Sequence, residues 1–225
     1  MLVGVLGGGL QGCCIALALA ERKVRVTLFD KNDALLSRAA AANEGKIHLG
    51  YMYAGDPTLS TAKTMMAGAL SFAPFLERYL SRPAGSFSVS VPATYIVHRD
   101  SQRNAEDCCA YLRTVQGISQ RSCGRKNRRI FWYLGTPLKA LSAAEAEGEF
   151  NPAIALAAVT TPEIAVNPVA LAQTMRDCVA AHPLIEVCCN HTVIGAKQAC
   201  GTIIVLTEGL AGPSRHHFDH VVNAL

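Results

Sequence analysis

The sequence predicts an α/β fold on three observations. The first is the opening MLVGVLGGGLQGCCIALALAER, which reads as a strand, a glycine turn and a helix, with a second apolar strand directly after it. The second is a middle region where long helical stretches alternate with short β-patterned ones. The third is a tail that reads almost wholly as strands. At 225 residues the chain suits one domain, or two intimately joined ones, with a sizeable core.

The N-terminal stretch has two rival readings, a secretory signal and a membrane span. A signal needs a basic region ahead of its apolar body, and only Met1 and Leu2 precede this one. A span would be interrupted by five glycines between residues 4 and 12 and by Gln11, and Glu21, Arg22 and Lys23 end it early. What is left is a strand at residues 2–6, a helix over about 10–22 and a strand at 24–30. Both strands are mainly apolar, as expected where helices cover both faces of a sheet.

A loop with a short helical stretch, NDALLSRAAAA, comes next, then GKIHLGYMY, which reads as extended. A long helical region is expected over 57–80, with Pro57 suited to its first turn and Pro74 expected to kink it. Alternation in SFSVSV and TYIVH predicts strands at 87–91 and 94–98. Asp100 or Ser101 is placed to cap a helix running to about Gln116. The basic run RSCGRKNRR reads as a solvated loop, followed by a short strand at 130–133 and a weak helix around 141–147. Asn167-Pro168 opens a further helix ending near His182. Strands are expected at 185–189, 192–197, 202–207 and 218–224.

Composition narrows the function classes. The formal charge of +4 is modest and is concentrated in that one basic run, with no basic stripe or interleaved aromatics, so no nucleic-acid partner is expected. Nine cysteines include three adjacent pairs, which rarely satisfy disulfide geometry with each other. No C-x-x-C spacing suits a metal. Reduced thiols packed as small hydrophobes, and a cytoplasmic location, are the reading.

The turn Gly7-Gly8-Gly9-Leu10-Gln11-Gly12 fits G-x-G-x-x-G. Gly7 allows the tight turn, Gly9 lets a pyrophosphate approach the backbone, and Gly12 lets the helix pack closely on the sheet. The first-turn amides at Leu10 and Gln11 then face the phosphates. The pattern alone is weak. Its place between strand and helix, with Asp30 at the end of the next strand to accept from ribose hydroxyls and Lys31 beside it, makes it a dinucleotide site.

A nicotinamide dehydrogenase would continue in regular βα units. This chain instead passes through GKIHLGYMY into a long helix and a β-rich insert. That layout resembles the D-amino-acid-oxidase-like (DAO) superfamily of FAD-dependent oxidoreductases. The resemblance rests on GVLGGGLQG with FD, ANEGKIHLGYMY, TTPEIAVNPVALAQTM, HPLIEVCCNHTVIGAK and FDHVVNAL, and it covers nearly the whole chain.

The resemblance implies a Rossmann-like FAD-binding domain with an inserted α+β substrate domain, the C-terminal part of the family fold being absent. The expected division is residues 1–80 and 151–225 for the FAD-binding domain and 81–150 for the insert. It places Asn43, Gly45, Lys46, Ile47 and His48 beside the ribityl and ring portions of FAD. Val193 falls at the adenine and Ala224 at the closing turn. His48 and Tyr51 are the catalytic candidates, and Tyr53 is a further hydroxyl for a substrate carboxylate. In some members a histidine in this segment carries the flavin covalently. The family favours glycine at the turn where this chain has Lys23, which implies strain.

The implied activity is oxidation of a CH–NH or CH–OH group of a small, carboxylate-bearing substrate by hydride transfer to flavin. An NAD-dependent dehydrogenase and a non-catalytic truncated FAD-fold fragment are the alternatives. Expected partners are a small-molecule substrate and either an oligomer or a missing C-terminal portion, with no membrane span. The segment HHFDH has metal-ligand types but reads as a loop with solvated histidines, because it leads into a strand.

Overall fold

The computed structural model describes residues 1–87, 90, 92–123, 138–141, 148–199 and 201–225. The strand expected at 130–133, residues 142–147 of the weak helix, and most of the strand expected at 87–91 lie outside them, as do residues 124–129 of the basic run. Two compact units are present, Met1–Glu44 with Pro168–Leu225, and Gly45–Asn167. These boundaries differ from the expected ones at 80 and 150, because the long helix of residues 60–79 is in the second unit.

The first unit is built on a parallel sheet. Strands β1 (Leu2–Leu6) and β2 (Arg25–Phe29) flank helix α1 (Leu10–Glu21), completing the expected βαβ opening. The order is β10-β1-β2-β6, with β6 at Ile185–Cys188 beside β2 and β10 at His220–Asn223 beside β1. Pro168 opens the helix Pro168–Ala181 that leads into β6, as proline at a first helical position should. An antiparallel meander follows, β7 (Thr192–Ala199), β8 (Thr202–Gly209) and β9 (Gly212–Phe218). β9 was not expected from the sequence.

Leu6, Phe29, Val205 and Phe218 form a buried cluster joining sheet and meander. Full burial of such side chains contributes about 1.5–3 kcal/mol each. Gly4 makes room for it, since a Cβ there would lie 2.9 Å from the Phe218 ring. His216 packs edge-on to Phe29 at 4.8 Å between centroids and lies 3.0 Å from the Thr207 hydroxyl. HHFDH is therefore not a loop: His216 and His217 lie on β9 and His220 on β10. Strand alternation turns His216 inward, and burial together with nearby His191 lowers its affinity for a proton.

Helix α1 ends in a Schellman motif, with Lys23 N–H donating to Ala20 O and Val24 N–H to Leu19 O. The residue that must be left-handed is Lys23, at φ 64°, so the strain expected at this turn is present. The short helix expected in NDALLSRAAAA does not form. Leu36 is left-handed at φ 56° and its N–H donates to Gly8 O, leaving only a turn at 38–42.

In the second unit α2 (Ser60–Tyr79) starts three residues after Pro57, because Leu59 is left-handed and the Asp56 carboxylate takes the N–H groups of Thr58 and Thr61. It contains Pro74. Phe87 closes a short 3-10 turn, Ala84–Phe87, rather than opening a strand. Strand β3 (Thr94–His98) forms as expected. The following helix, α3 (Ala105–Ser122), is capped by Asn104, which accepts from Asp107 N–H, and not by Asp100 or Ser101. It runs beyond Gln116. Strands β4 (Lys139–Ala140) and β5 (Ala155–Thr160) complete an antiparallel sheet of order β3-β5-β4, and β5 was not expected. We number the helix at Pro168–Ala181 α4.

Candidate functional site

The glycine turn lies at the ends of β1, β2 and β10. Gly7 has φ 107°, and a Cβ there would also lie 2.5 Å from Ala224 O. A Cβ on Gly12 would fall 1.8 Å from Gly7 O. The chain itself requires these two glycines. Gly9 is different. It caps α1 in an extended conformation, φ −74° and ψ −173°, and a Cβ there would meet nothing within 4 Å. Among the described residues no contact asks for glycine at 9.

No side chain caps α1, and its first turn has no acid. The first intrahelical bond runs from Cys13 N–H to Gly9 O, so the preceding amides lack helical acceptors. Leu10 and Gln11 are exposed here, Leu10 by 49 %. This open helix end is suited to an anion. Just inside it Cys13 contacts Gly8 O through its sulfur, and burial pushes its thiol up to about 12.

Asp30 follows β2 and is half-buried. Its carboxylate accepts from Gly8 N–H at 2.8 Å, Asn32 N–H at 2.8 Å and Asn32 Nδ2 at 2.7 Å. A carboxylate offers about four acceptor positions, which leaves one for a ribose hydroxyl. Lys31 next to it is exposed. Ala224 N–H donates to Leu6 O at 2.7 Å, and Val193 packs on the cluster of Leu6 and Phe29. Asn43 donates to Ala39 O and Ala40 O. The first unit thus brings Gly7, Gly9, Leu10, Gln11, Gly12, Asp30 and Ala224 together at one end of the sheet.

In the second unit residues 45–49 run beside 163–166. Val166 N–H donates to Gly45 O, Ile47 N–H to Ile164 O, and Lys46 bridges Ala165. Glu163 lies at the end of this pairing and is fully buried. Its carboxylate accepts from Leu49 N–H at 2.5 Å and from the Tyr95 hydroxyl. Lys46 Nζ lies 4.0 Å and His48 Nδ1 3.7 Å from Oε2. Lys46 also stands 4.6 Å over the Tyr95 ring.

Tyr51 is in the core, its hydroxyl donated to Gln116 of α3, and Tyr111 donates to Gly50 O at 2.8 Å. Burial pushes the Tyr51 and Tyr95 hydroxyls well above the usual tyrosine range, with the Glu163 charge acting in the same direction on both. Tyr53 stacks edge-on to His48 at 6.4 Å. A pocket of about 290 Å³ in this unit is lined by Tyr51, Tyr95, Val97, Arg103, Cys108 and Leu112 among others. Sequence reasoning missed Glu163, Tyr95 and Gln116. The signal for Glu163 was present: it is the only charged residue between Glu149 and Arg176.

A family model described as FAD dependent oxidoreductase (DAO) matches residues 3–225. The chain belongs to the DAO family of FAD-dependent oxidoreductases. Glycerol 3-phosphate oxidase of Mycoplasma pneumoniae is 26 % identical over 214 residues, covering 93 % of this chain and 50 % of the relative. Among solved structures, glycine oxidase from Geobacillus kaustophilus shares the fold at TM-score 0.70 and 21 % identity, over 99 % of this chain and 54 % of that one. The FAD-bound L-alpha-glycerophosphate oxidase of Mycoplasma pneumoniae does so at TM-score 0.63 and 24 % identity, over 98 % and 53 %.

The chain therefore spans about half the length of these DAO relatives. Membership places the chain in a flavin family, against the nicotinamide alternative. Among the described residues no disulfide links the cysteines and no group of three His, Cys, Asp or Glu side chains suits a metal ion. No helix among them is long and apolar enough to cross a membrane.

Proposed function

We propose that this chain binds FAD through the glycine turn and takes part in oxidising a CH–NH or CH–OH group of a small, carboxylate-bearing substrate. The observation that carries the reading is Gly9, a glycine that no contact among the described residues requires, at an open and uncapped helix end. Gly7, Gly12 and the amides at Leu10 and Gln11 hold the pyrophosphate, and Asp30, with Lys31 beside it, holds the adenosine ribose. Val193 and Ala224 flank the adenine and the closing turn. Asn43, Gly45, Lys46, Ile47 and His48 line the ribityl and ring portions, Ile47 through a backbone already bonded to Ile164.

Bound FAD supplies the hydride acceptor. The chain's own chemical task is to hold the substrate and take its proton. His48 is the residue for that step. Lys46 adds positive charge for an anionic substrate, and Tyr53 adds a hydroxyl. Tyr51 sets the loop against α3 through Gln116. The compact unit of residues 45–167 supports the reading of an inserted substrate domain, with wider boundaries than 81–150. The names of the relatives cover both bond types, glycine oxidase for the amine and glycerol 3-phosphate oxidase for the hydroxyl.

The visible spectrum of the purified chain, followed by FAD titration, tests the cofactor. Absence of flavin bands and of FAD binding would sink the reading. Anaerobic addition of glycine, glycerol 3-phosphate and 2-hydroxy acids tests the reaction through bleaching of the flavin band. A chain that binds FAD and is bleached by none of them supports the non-catalytic module instead.

A further inference from the structure

Resting on the proposed role of His48, we propose that Glu163 is its positioning residue. Glu163 holds the imidazole proton on Nδ1, leaving Nε2 as the nitrogen that accepts the proton from the substrate O–H or N–H.

The geometry begins with the burial of Glu163. A carboxylate with no solvent exposure must be compensated from within the fold. Leu49 N–H serves Oε1, and the Tyr95 hydroxyl and Lys46 ammonium serve Oε2 on two sides. The imidazole Nδ1 of His48 faces the same Oε2 at 3.7 Å. Lys46 and His48 are two apart on an extended segment, so both side chains emerge on one face and converge on one acid.

His48 is sealed at Nδ1. Its Nδ1 has no solvent-accessible surface, yet the side chain as a whole keeps 23 % exposure. The exposed surface therefore belongs to side-chain atoms other than Nδ1. Of the two neutral tautomers, one turns an N–H toward the anionic oxygen and the other turns a lone pair toward it. At 3.7 Å in a dry setting the first is attractive and the second repulsive. With the proton on the sealed Nδ1, the working nitrogen is Nε2. A carboxylate behind a histidine is a recurrent way of fixing which nitrogen carries the proton. Tyr53, edge-on at 6.4 Å, restricts the ring further.

The test is the tautomer itself. Long-range proton–nitrogen NMR on the 225-residue chain labelled with nitrogen-15 in its seven histidines reports which ring nitrogen is protonated. It is run at a pH where the His48 ring is neutral, and the His48 signals are assigned by their loss in His48→Gln. The expected result is Nδ1–H in the wild type and at least a tenfold fall in the Nδ1–H to Nε2–H ratio in Glu163→Gln. An Nε2–H wild type overturns the proposal. So does an Nδ1–H pattern unchanged in a folded Glu163→Gln. Where that variant fails to fold, the wild-type spectrum decides alone. The spectrum needs neither flavin nor turnover, so failure to bind FAD would overturn the proposed function and leave this result standing.

Discussion

A Cβ on Gly12 would sit 1.8 Å from the carbonyl oxygen of Gly7, while one on Gly9 would touch nothing within 4 Å. The motif's glycines thus divide into two that fold the chain and one that faces outward. Gly12→Ala is expected to collapse the strand–helix junction, with loss of cooperative thermal unfolding. Gly9→Ala is expected to keep the melting temperature within a degree or two and to weaken FAD binding. Losing one or two charge-assisted hydrogen bonds at about 1.5–3 kcal/mol each corresponds to roughly ten- to a hundredfold or more in Kd. FAD titration of both variants, beside their melting curves, checks this. Unchanged FAD affinity in Gly9→Ala would remove the pyrophosphate from this turn.

Asp30 serves the fold and the ligand at once. It takes three hydrogen bonds from Gly8 and Asn32, and one acceptor position is left. Asp30→Ala is expected to lower stability by about 1–3 kcal/mol, through the unpaired Gly8 and Asn32 donors, and to weaken FAD. Asp30→Asn can keep the bond from Gly8 N–H through its amide oxygen, but the amide nitrogen cannot accept. It should therefore retain more stability than alanine while still losing FAD affinity. Urea unfolding and FAD titration on the two variants separate these roles.

Lys23 occupies the left-handed position of the Schellman turn at φ 64°. For an ordinary side chain that conformation costs about 1–2 kcal/mol. Glycine removes the cost and adds about 0.4–1 kcal/mol of unfolded-chain entropy. Lys23→Gly is therefore expected to stabilise the chain by about 0.5–1 kcal/mol, visible as a higher urea midpoint at unchanged slope. A lower midpoint would mean that the Lys23 side chain stabilises the turn in some other way.

What the sequence made legible was local or periodic. The βαβ opening, the turn glycines, Asp30, the proline-started α4 and most tail strands depend on neighbours a few residues away. What it concealed depends on long-range partners. Leu36 is left-handed while its N–H is held by Gly8, which ends a stretch with good helical composition. One miss was local instead: Asn104 displaces Asp100 and Ser101 as the cap because its side chain reaches Asp107 N–H, three residues on. Glu163 meets Leu49 from 114 residues away. No window of sequence spans that distance, so although Glu163 stands out as a lone charge, its pairing with the 46–49 segment came only with the fold.

The buried hydroxyls give a pH dependence with a definite sign. Burial raises Tyr111 from 10.0 to about 12, and raises Tyr51 and Tyr95 further. Cys13 rises from 9.0 to about 12. Above pH 9 the unfolded chain loses these protons before the folded one does, so the unfolded state binds fewer protons and stability falls with rising pH. The urea midpoint is expected to hold up to about pH 9 and then decline steadily toward pH 11. Tyrosinate absorbance at 295 nm should show three tyrosines still protonated at pH 11, ionising only when urea is added. Immediate ionisation of all the tyrosines in the folded chain at pH 11 would show that the Tyr51, Tyr95 and Tyr111 hydroxyls are not buried together around Glu163 and α3.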